Sequence, residues 1–276
     1  MSELVTIEIK DHVAHVRLNR PEKMNALTID MMGAVADAAE SVAADRSVRA
    51  VVLSGEGRAF CAGIDTSAFT SGEIFGDMFG EGRGGFWPNY YQKPGFAWKQ
   101  VPVPVIAALH GVAYGGGIQI ALGADIRIAH PQTRLSVMEI KWGLIPDMSA
   151  SQTLRDLVRL DVAKELVFTG RVVEGPEAER IGLVTRLADD PVAEALALAG
   201  RIAGGNPDAV TMGKYLLEQS WHGDTLAGLR HEEKLQARIL NTPNHREAIR
   251  AGMAGEKPHF EDRRIADFSD LDVRSS

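Results

Sequence analysis

PVIAALHGVAYGGGIQIALGADIRIA, residues 104–129, decides the architecture. Its opening is an apolar run entered through Pro102 and Pro104 and closed at Gly111, the pattern of a buried strand. Gly115, Gly116 and Gly117 then open a helix that carries Gln119, Ile120 and Leu122, and ADIRIAH, 124–130, reads as a further strand. Strand, glycine-opened helix and strand together make one unit of an α/β fold.

The same grammar extends in both directions. Residues 4–18 alternate as a pair of strands, with Val5, Ile7 and Ile9 on one face. The loop NRPEKMNAL, 19–27, leads to Thr28, placed to cap a helix whose apolar side is Ile29, Met32, Val35, Ala36 and Ala39. RAVVLSG, 49–55, is a buried strand, and GRAFCAGIDTSAF, 57–69, runs from loop into a short helix. Downstream, RLSVMEIKWGLIPD, 134–147, leads into a helix around SASQTLRDLV. A helix over 163–168 follows, and then GPEAERIGLVTRL, 175–187, with Pro176 in a helix first turn and a strand at its end. From about 191 to 257 the chain reads as helices only. We therefore expect a core domain over 1–195, the part that would hold any catalytic site, and a helical packing or assembly region over 196–276. Residues 70–96 stand apart, with seven glycines among Phe75, Phe79, Phe86, Trp87, Tyr90 and Tyr91. That composition reads equally as a pocket wall and as a surface insertion.

Composition bounds the function. The 276 residues, 45% of them hydrophobic, are enough for one substantial core. A net charge of −7 argues against nucleic-acid and anionic-membrane partners. Cys61 is the only cysteine, so no intrachain disulfide exists and a reducing, cytoplasmic setting is expected. MSELVTIEIK lacks the basic-then-apolar run of a signal peptide, and no apolar stretch approaches the ~20 residues of a membrane span. The eight histidines lack metal-binding spacing, so no metal is expected. GEGRGG, 80–85, matches a dinucleotide-binding fingerprint, but no strand precedes it.

Two glycine-containing segments carry the chemistry: AGID, Ala62–Asp65, and YGGGIQIA, Tyr114–Ala121. Glycine lets the backbone approach a ligand closely, and the second segment starts a helix, where unpaired N–H groups attract negative charge. One N–H from each would make an oxyanion hole. Taken singly, either segment also reads as a tight packing site. Glu139 lies among Val137, Met138, Ile140 and Trp142, company that disfavours a charged carboxylate and tunes it for proton transfer. Asp147 is a second acid–base candidate and reads equally as a helix N-cap. Asp125 reads as structural, and Cys61 as a small hydrophobe or a nucleophile.

Read together, these segments resemble the enoyl-CoA hydratase/isomerase (crotonase) superfamily. The likeness covers roughly residues 5–195, through NRPEKMNAL, GRAFCAGID, residues 104–129, MEIKWGLIPD and LVFTGRVVEGPEAERIGLV, and the tail GEKPHFEDR resembles the family's C-terminal signature. The resemblance implies a spiral of ββα units with a helical C-terminal trimerisation region, assembled as a trimer or a dimer of trimers. It implies an acyl-CoA thioester as substrate, with coenzyme A as part of that substrate and no separate cofactor. By motif position, the thioester oxygen would take hydrogen bonds from the N–H groups of Ile64 and Gly116. CoA would pass Lys23, Ala26, Ala62 and Asp65, while Lys257 and Phe260 would reach a neighbouring subunit's CoA pocket.

One position departs from the family pattern. Hydratases of the family carry two catalytic glutamates, but the first of those positions is Gln119 here and only the second, Glu139, is a glutamate. A glutamine can orient water or line the substrate pocket, yet it cannot take a proton from water. A double-bond isomerase needs one carboxylate, and the family's dienoyl-CoA isomerases pair it with an aspartate at the position of Asp147. The expectation is therefore an enoyl- or dienoyl-CoA isomerase. A hydratase of altered activity and a non-catalytic acyl-CoA or RNA binder on the same scaffold are the alternatives.

Overall fold

The strands β3 (Ala50–Gly55) and β4 (Val105–Leu109) lie at the centre of a six-stranded sheet ordered β1-β2-β3-β4-β6-β9. The computed structural model describes residues 3–67 and 88–271. All five β4 residues are buried, as expected for a strand covered on both faces, which explains its unbroken apolar run. Only β1 (Val5–Lys10) and β2 (Val13–Leu18) pair antiparallel in this sheet; β3, β4, β6 (Ile126–Ala129) and β9 (Arg186–Leu187) continue it in parallel. A second sheet joins β5 (Val112–Tyr114), β7 (Arg134–Ser136) and β8 (Val173–Glu174). Each turn of chain adds one strand to each sheet, β4 with β5 and β6 with β7, and this is the expected spiral of ββα units.

Helix α1 (Ile29–Ala44) begins where the sequence places it. Thr28 Oγ1 accepts from the Met31 N–H at 3.1 Å, and Met31, Met32, Val35 and Ala39 enter the core. Helix α2 (Lys93–Gln100) packs against α1, and α3 (Gly116–Leu122) packs against α2; the 88–96 end of the aromatic insert forms a loop and the start of α2. Residues 70–87 of that insert, GEGRGG included, lie outside the described residues. Two expectations differ in detail. The helix expected around 149–158 is only one turn, α4 (Ala150–Thr153), followed by a 3₁₀ turn. On β1, Val5 is buried but Ile7 and Ile9 are exposed, because β1 is the edge strand and only its first residue reaches the core cluster.

Helices α5 (Leu160–Thr169) and α6 (Gly175–Ile181) complete the core, with Pro176 in the first turn of α6. The expected 195/196 boundary falls inside α7 (Pro191–Ala203), whose Ala195, Ala199 and Ala203 lie on the sheet against Val52, Ile106 and Ile128. Small residues let that helix approach closely. Helices α8 (Pro207–Ser220) and α9 (Thr225–Ile239) share a separate cluster around Met212, Tyr215 and Leu235 with Ile265 and Leu271 of the tail, and α10 (Pro243–Ala254) lies between α9 and that tail in sequence. Asp125 is structural as expected: its Oδ2 accepts from the Val105 N–H at 2.7 Å and from Lys214 Nζ at 2.8 Å, tying α8 to the sheet. Among the described residues no helix is long and apolar enough to cross a membrane.

Candidate active site

The two glycine-containing segments are joined edge to edge beyond the C-terminal ends of β3 and β4. Cys61 and Ala113 form a parallel bridge, with the Cys61 N–H on Val112 O and the Tyr114 N–H on Cys61 O, both at 3.0 Å. Ile64 and Gly116 each lie three residues further along their segments. Leu27 stands between them. Its N–H donates to Gly63 O at 2.8 Å and its carbonyl accepts from the Asp65 N–H at 2.9 Å, so the N–H of Ile64 turns to the other side of its strand. A Cβ on Gly116 would lie 2.8 Å from Leu27 Cδ1, which puts the Gly116 backbone against the same residue.

Glycine is required at 115. Its φ of +51° and ψ of −122° are open to glycine alone, and its N–H is held by Ser136 O at 2.9 Å. The turn swings the chain into α3 with the Gly116 N–H in the first helical turn, where no intrahelical acceptor exists. Glu139 is adjacent: a Cβ on Gly115 would lie 3.5 Å from its Oε1. A carboxylate thus sits beside one expected oxyanion donor, the relation needed between a base at C2 and a thioester oxygen at C1.

Glu139 is buried at the start of a 3₁₀ turn, Glu139–Trp142. Gln119 donates from Nε2 to Glu139 Oε1 at 2.6 Å, while Gln119 Oε1 accepts from the N–H groups of Met148 at 2.9 Å and Ala150 at 3.3 Å. Among the described residues nothing pairs with Glu139 Oε2. Burial is the main cause that raises the Glu139 pKa; hydrogen bonds from its own backbone and from Gln119 oppose it, and the nearby Asp147 charge adds to it. Burial likewise raises Asp147.

The helix-cap reading of Asp147 is corrected by the structure. The residue at the N-cap of α4 is Ser149, in the left-handed region at φ +79°, and no side chain caps that helix. Asp147 lies two residues before that N-cap and within the electrostatic reach of Glu139. Gln119, expected as a pocket-lining residue, is buried with both amide ends bonded to protein.

Lys23, Ala26, Ala62 and Asp65 come together on the loop before α1 and the AGID segment. The Ala26 N–H donates to Lys23 O at 3.1 Å and the Ala62 N–H to Met24 O at 2.9 Å. The Asp65 carboxylate, however, is taken by Arg20 Nη1 at 2.6 Å and by Ser67, bonds that hold its pKa down to about 2, so it braces the loop. Lys257 and Phe260 are not brought to this place within one chain. Phe260 O accepts from Arg49 Nη2 at 2.9 Å, and Arg49 immediately precedes β3, so the tail is anchored at the opposite ends of the strands. Cys61 is no nucleophile. It is fully buried, its Sγ meets Asn25 O at 3.0 Å, and burial pushes the thiol up to about 12.

Two supports were missed in the sequence. Asn25, buried at φ +55°, accepts from the Arg20 N–H through Oδ1 and donates from Nδ2 to Glu56, Ala59 and Phe60 carbonyls, stapling the two loops. Arg20 reaches Ala26 O at 3.0 Å as well as Asp65. An asparagine among loop residues is a weak signal for αL backbone, but its three carbonyl partners are invisible until the loops meet.

Residues 8–263 match the enoyl-CoA hydratase/isomerase family profile. A relative from Mycobacterium leprae, carrying the name "Probable enoyl-CoA hydratase", is 32% identical over 95% of this chain and 99% of its own length. Mouse mitochondrial methylglutaconyl-CoA hydratase is 28% identical over 88% of this chain and 77% of its own. Among solved structures, an enoyl-CoA hydratase from Mycobacterium tuberculosis superposes with a TM-score of 0.82 at 27% identity, covering 94% of this chain and 99% of that one. An enoyl-CoA hydratase from Bacillus anthracis reaches 0.83 at 26% identity, over 93% and 98% of the respective chains.

Proposed function

This chain belongs to the enoyl-CoA hydratase/isomerase family, and from that premise we propose that it shifts a carbon–carbon double bond of an enoyl- or dienoyl-CoA with Glu139 as the proton shuttle. The N–H groups of Ile64 and Gly116 hold the thioester oxygen. Glu139 removes a proton from C2 of a 3-enoyl-CoA, the C–H electron pair enters the C1–C2 bond, and the thioester oxygen takes up the charge. Return of the proton at C4 moves the double bond to C2–C3 and regenerates the carboxylate. Oxyanion donors of this kind are each worth about 3 kcal/mol of barrier.

The observation that carries this reading is the bonding of Gln119. Its carbonyl oxygen is engaged by two backbone N–H groups and its amide nitrogen by Glu139, so it cannot serve as a second base toward water. Asp147 is the remaining carboxyl beside Glu139, suited to a longer proton transfer in a dienoyl substrate. The relatives' names favour hydration as the competing reaction. Incubation with 3-enoyl-, 3,5-dienoyl- and 2-enoyl-CoA thioesters separates the two. We expect conversion of the first two, followed by ultraviolet absorbance and mass spectrometry. Rapid hydration of 2-enoyl-CoA with 3-enoyl-CoA untouched replaces this reading with a hydratase.

The active unit is a trimer or hexamer. Ile145, Leu160 and Phe168 beside the Glu139 segment are 75%, 70% and 69% exposed, and Trp221 on the helical side is 70% exposed, apolar surface that a second copy would cover. In such an assembly Lys257 and Phe260 face a neighbour's CoA site. Light scattering at micromolar concentration is expected to give three or six times the chain mass, and a stable monomer would count against it.

A further inference from the structure

We propose that Gln119 is a positioning residue that gives the two oxygens of Glu139 separate duties, keeping Oε1 as a permanent acceptor and leaving Oε2 as the oxygen that carries the proton. The inference rests on the proton-shuttle reading of Glu139 and deepens it. The geometry begins in the 148–150 turn. Ser149 sits at φ +79°, and this left-handed residue between two others makes the N–H groups of Met148 and Ala150 converge on one point. Such converging backbone donors form a concavity suited to an anion or a strongly polar oxygen. Gln119 Oε1 fills it.

The orientation of the Gln119 amide follows from donor and acceptor chemistry. Rotated by half a turn, its NH₂ would face two N–H donors and its oxygen would face a carboxylate, losing every bond. The NH₂ end is therefore aimed at Glu139 Oε1, 2.6 Å away. A donor at that distance makes Oε1 the carbonyl oxygen of the neutral acid and puts the hydroxyl on Oε2, since a carbonyl oxygen accepts such a bond better than a hydroxyl oxygen. When Glu139 takes a substrate proton, it takes it on Oε2, the oxygen with no partner among the described residues. Gln119 thus prevents the carboxyl from turning its proton into the protein interior, where it would not reach C2 or C4.

The same concavity predicts what a glutamate at 119 would do. One oxygen would be held by Met148 and Ala150, and the other would lie against Glu139 Oε1, where two carboxylates persist only by sharing a proton. The two groups would titrate as a unit, with Asp147 as the other charge acting on them.

The test is a pH titration of ligand-free protein with ¹³C-carboxyl glutamate, the Glu139 resonance being the one missing from Glu139→Gln. In Gln119→Leu the Glu139 midpoint should rise by about one pH unit, roughly tenfold in proton affinity, because a donor to the charged form is gone. In Gln119→Glu two carboxyl resonances should respond at common midpoints and retain one shared proton above neutral pH. An unchanged midpoint in Gln119→Leu would mean that Gln119 only fills space and overturns the proposal. If Gln119→Leu does not fold, Gln119→Glu still keeps an acceptor for Met148 and Ala150; two independent single-site titrations there overturn it equally. These readouts need no reaction. Shifted titrations without C2 exchange on any thioester would sink the shuttle reading alone, whereas C2 exchange with unshifted titrations would sink this one.

Discussion

Glu139→Gln is expected to abolish exchange of the C2 proton of a 3-enoyl-CoA while leaving a folded protein that binds the thioester. An amide cannot accept a proton at this acidity, so the chemical step should lose the whole general-base contribution, ~10²–10⁴-fold. Binding should persist, because the proposed oxyanion donors, Ile64 and Gly116, are backbone groups on other segments. The variant also keeps the contact to Gln119, since its side-chain oxygen can accept the 2.6 Å bond that Glu139 Oε1 accepts. The wild-type rate should fall as pH drops through the Glu139 midpoint, which burial places above the ordinary carboxylate range. Stability follows the opposite sign. A carboxyl whose folded pKa is raised contributes stability below its unfolded value and loses it as pH rises through the folded one. At and above neutral pH the glutamine variant should therefore be at least as stable as wild type, and denaturant unfolding checks this. A variant with full C2 exchange, measured by deuterium incorporation, would remove Glu139 from the mechanism.

Gly116→Val should produce a loss of similar size through geometry rather than side-chain chemistry. No substitution deletes a backbone N–H short of proline, but a side chain can move it. An added Cβ would lie 2.7 Å from Met148 Sδ and 2.8 Å from Leu27 Cδ1, both ends of flexible side chains, so the fold should survive while the helix start shifts. The valine methyls would also crowd the space beside the donor. Loss of one oxyanion contact costs about 3 kcal/mol, roughly a hundredfold or more in turnover. Gly213→Ala is the control: a Cβ there meets nothing within 4 Å, and a helical alanine is favoured over glycine. Circular dichroism and light scattering should be unchanged in both variants, with turnover lost only in the first. Full activity of a folded Gly116→Val protein would remove Gly116 from the thioester site.

Much of this was legible from local sequence, and the reason is range. Thr28 caps α1 through a bond to the residue three positions on, and Pro176 starts α6 within its own first turn. The buried runs of β3 and β4 carry their own period, and the glycines at 115–117 announce a backbone that must turn sharply. The strands, the helix starts and the two glycine-containing segments follow from such signals, while the choice of Ile64 and Gly116 as donors within those segments came from the family resemblance.

The partners of the polar side chains did not, because each lies far along the chain. Gln119 meets Glu139 across 20 residues and Met148 across 29, Arg20 meets Asp65 across 45, and Arg49 reaches Phe260 across 211. The side chains alone left Asp147 equally a cap and an acid, and the family resemblance made Asp65 and Gln119 ligand-lining residues. Only the packed loops placed Asp147 beside Glu139, bound Asp65 to Arg20 and turned the Gln119 amide onto Glu139. Sequence by itself determined the elements, since apolar period, caps and glycine backbone are local properties. Tertiary structure decided which oxygen faces which donor, since a hydrogen bond depends on ångström-scale approach between segments that local sequence does not relate.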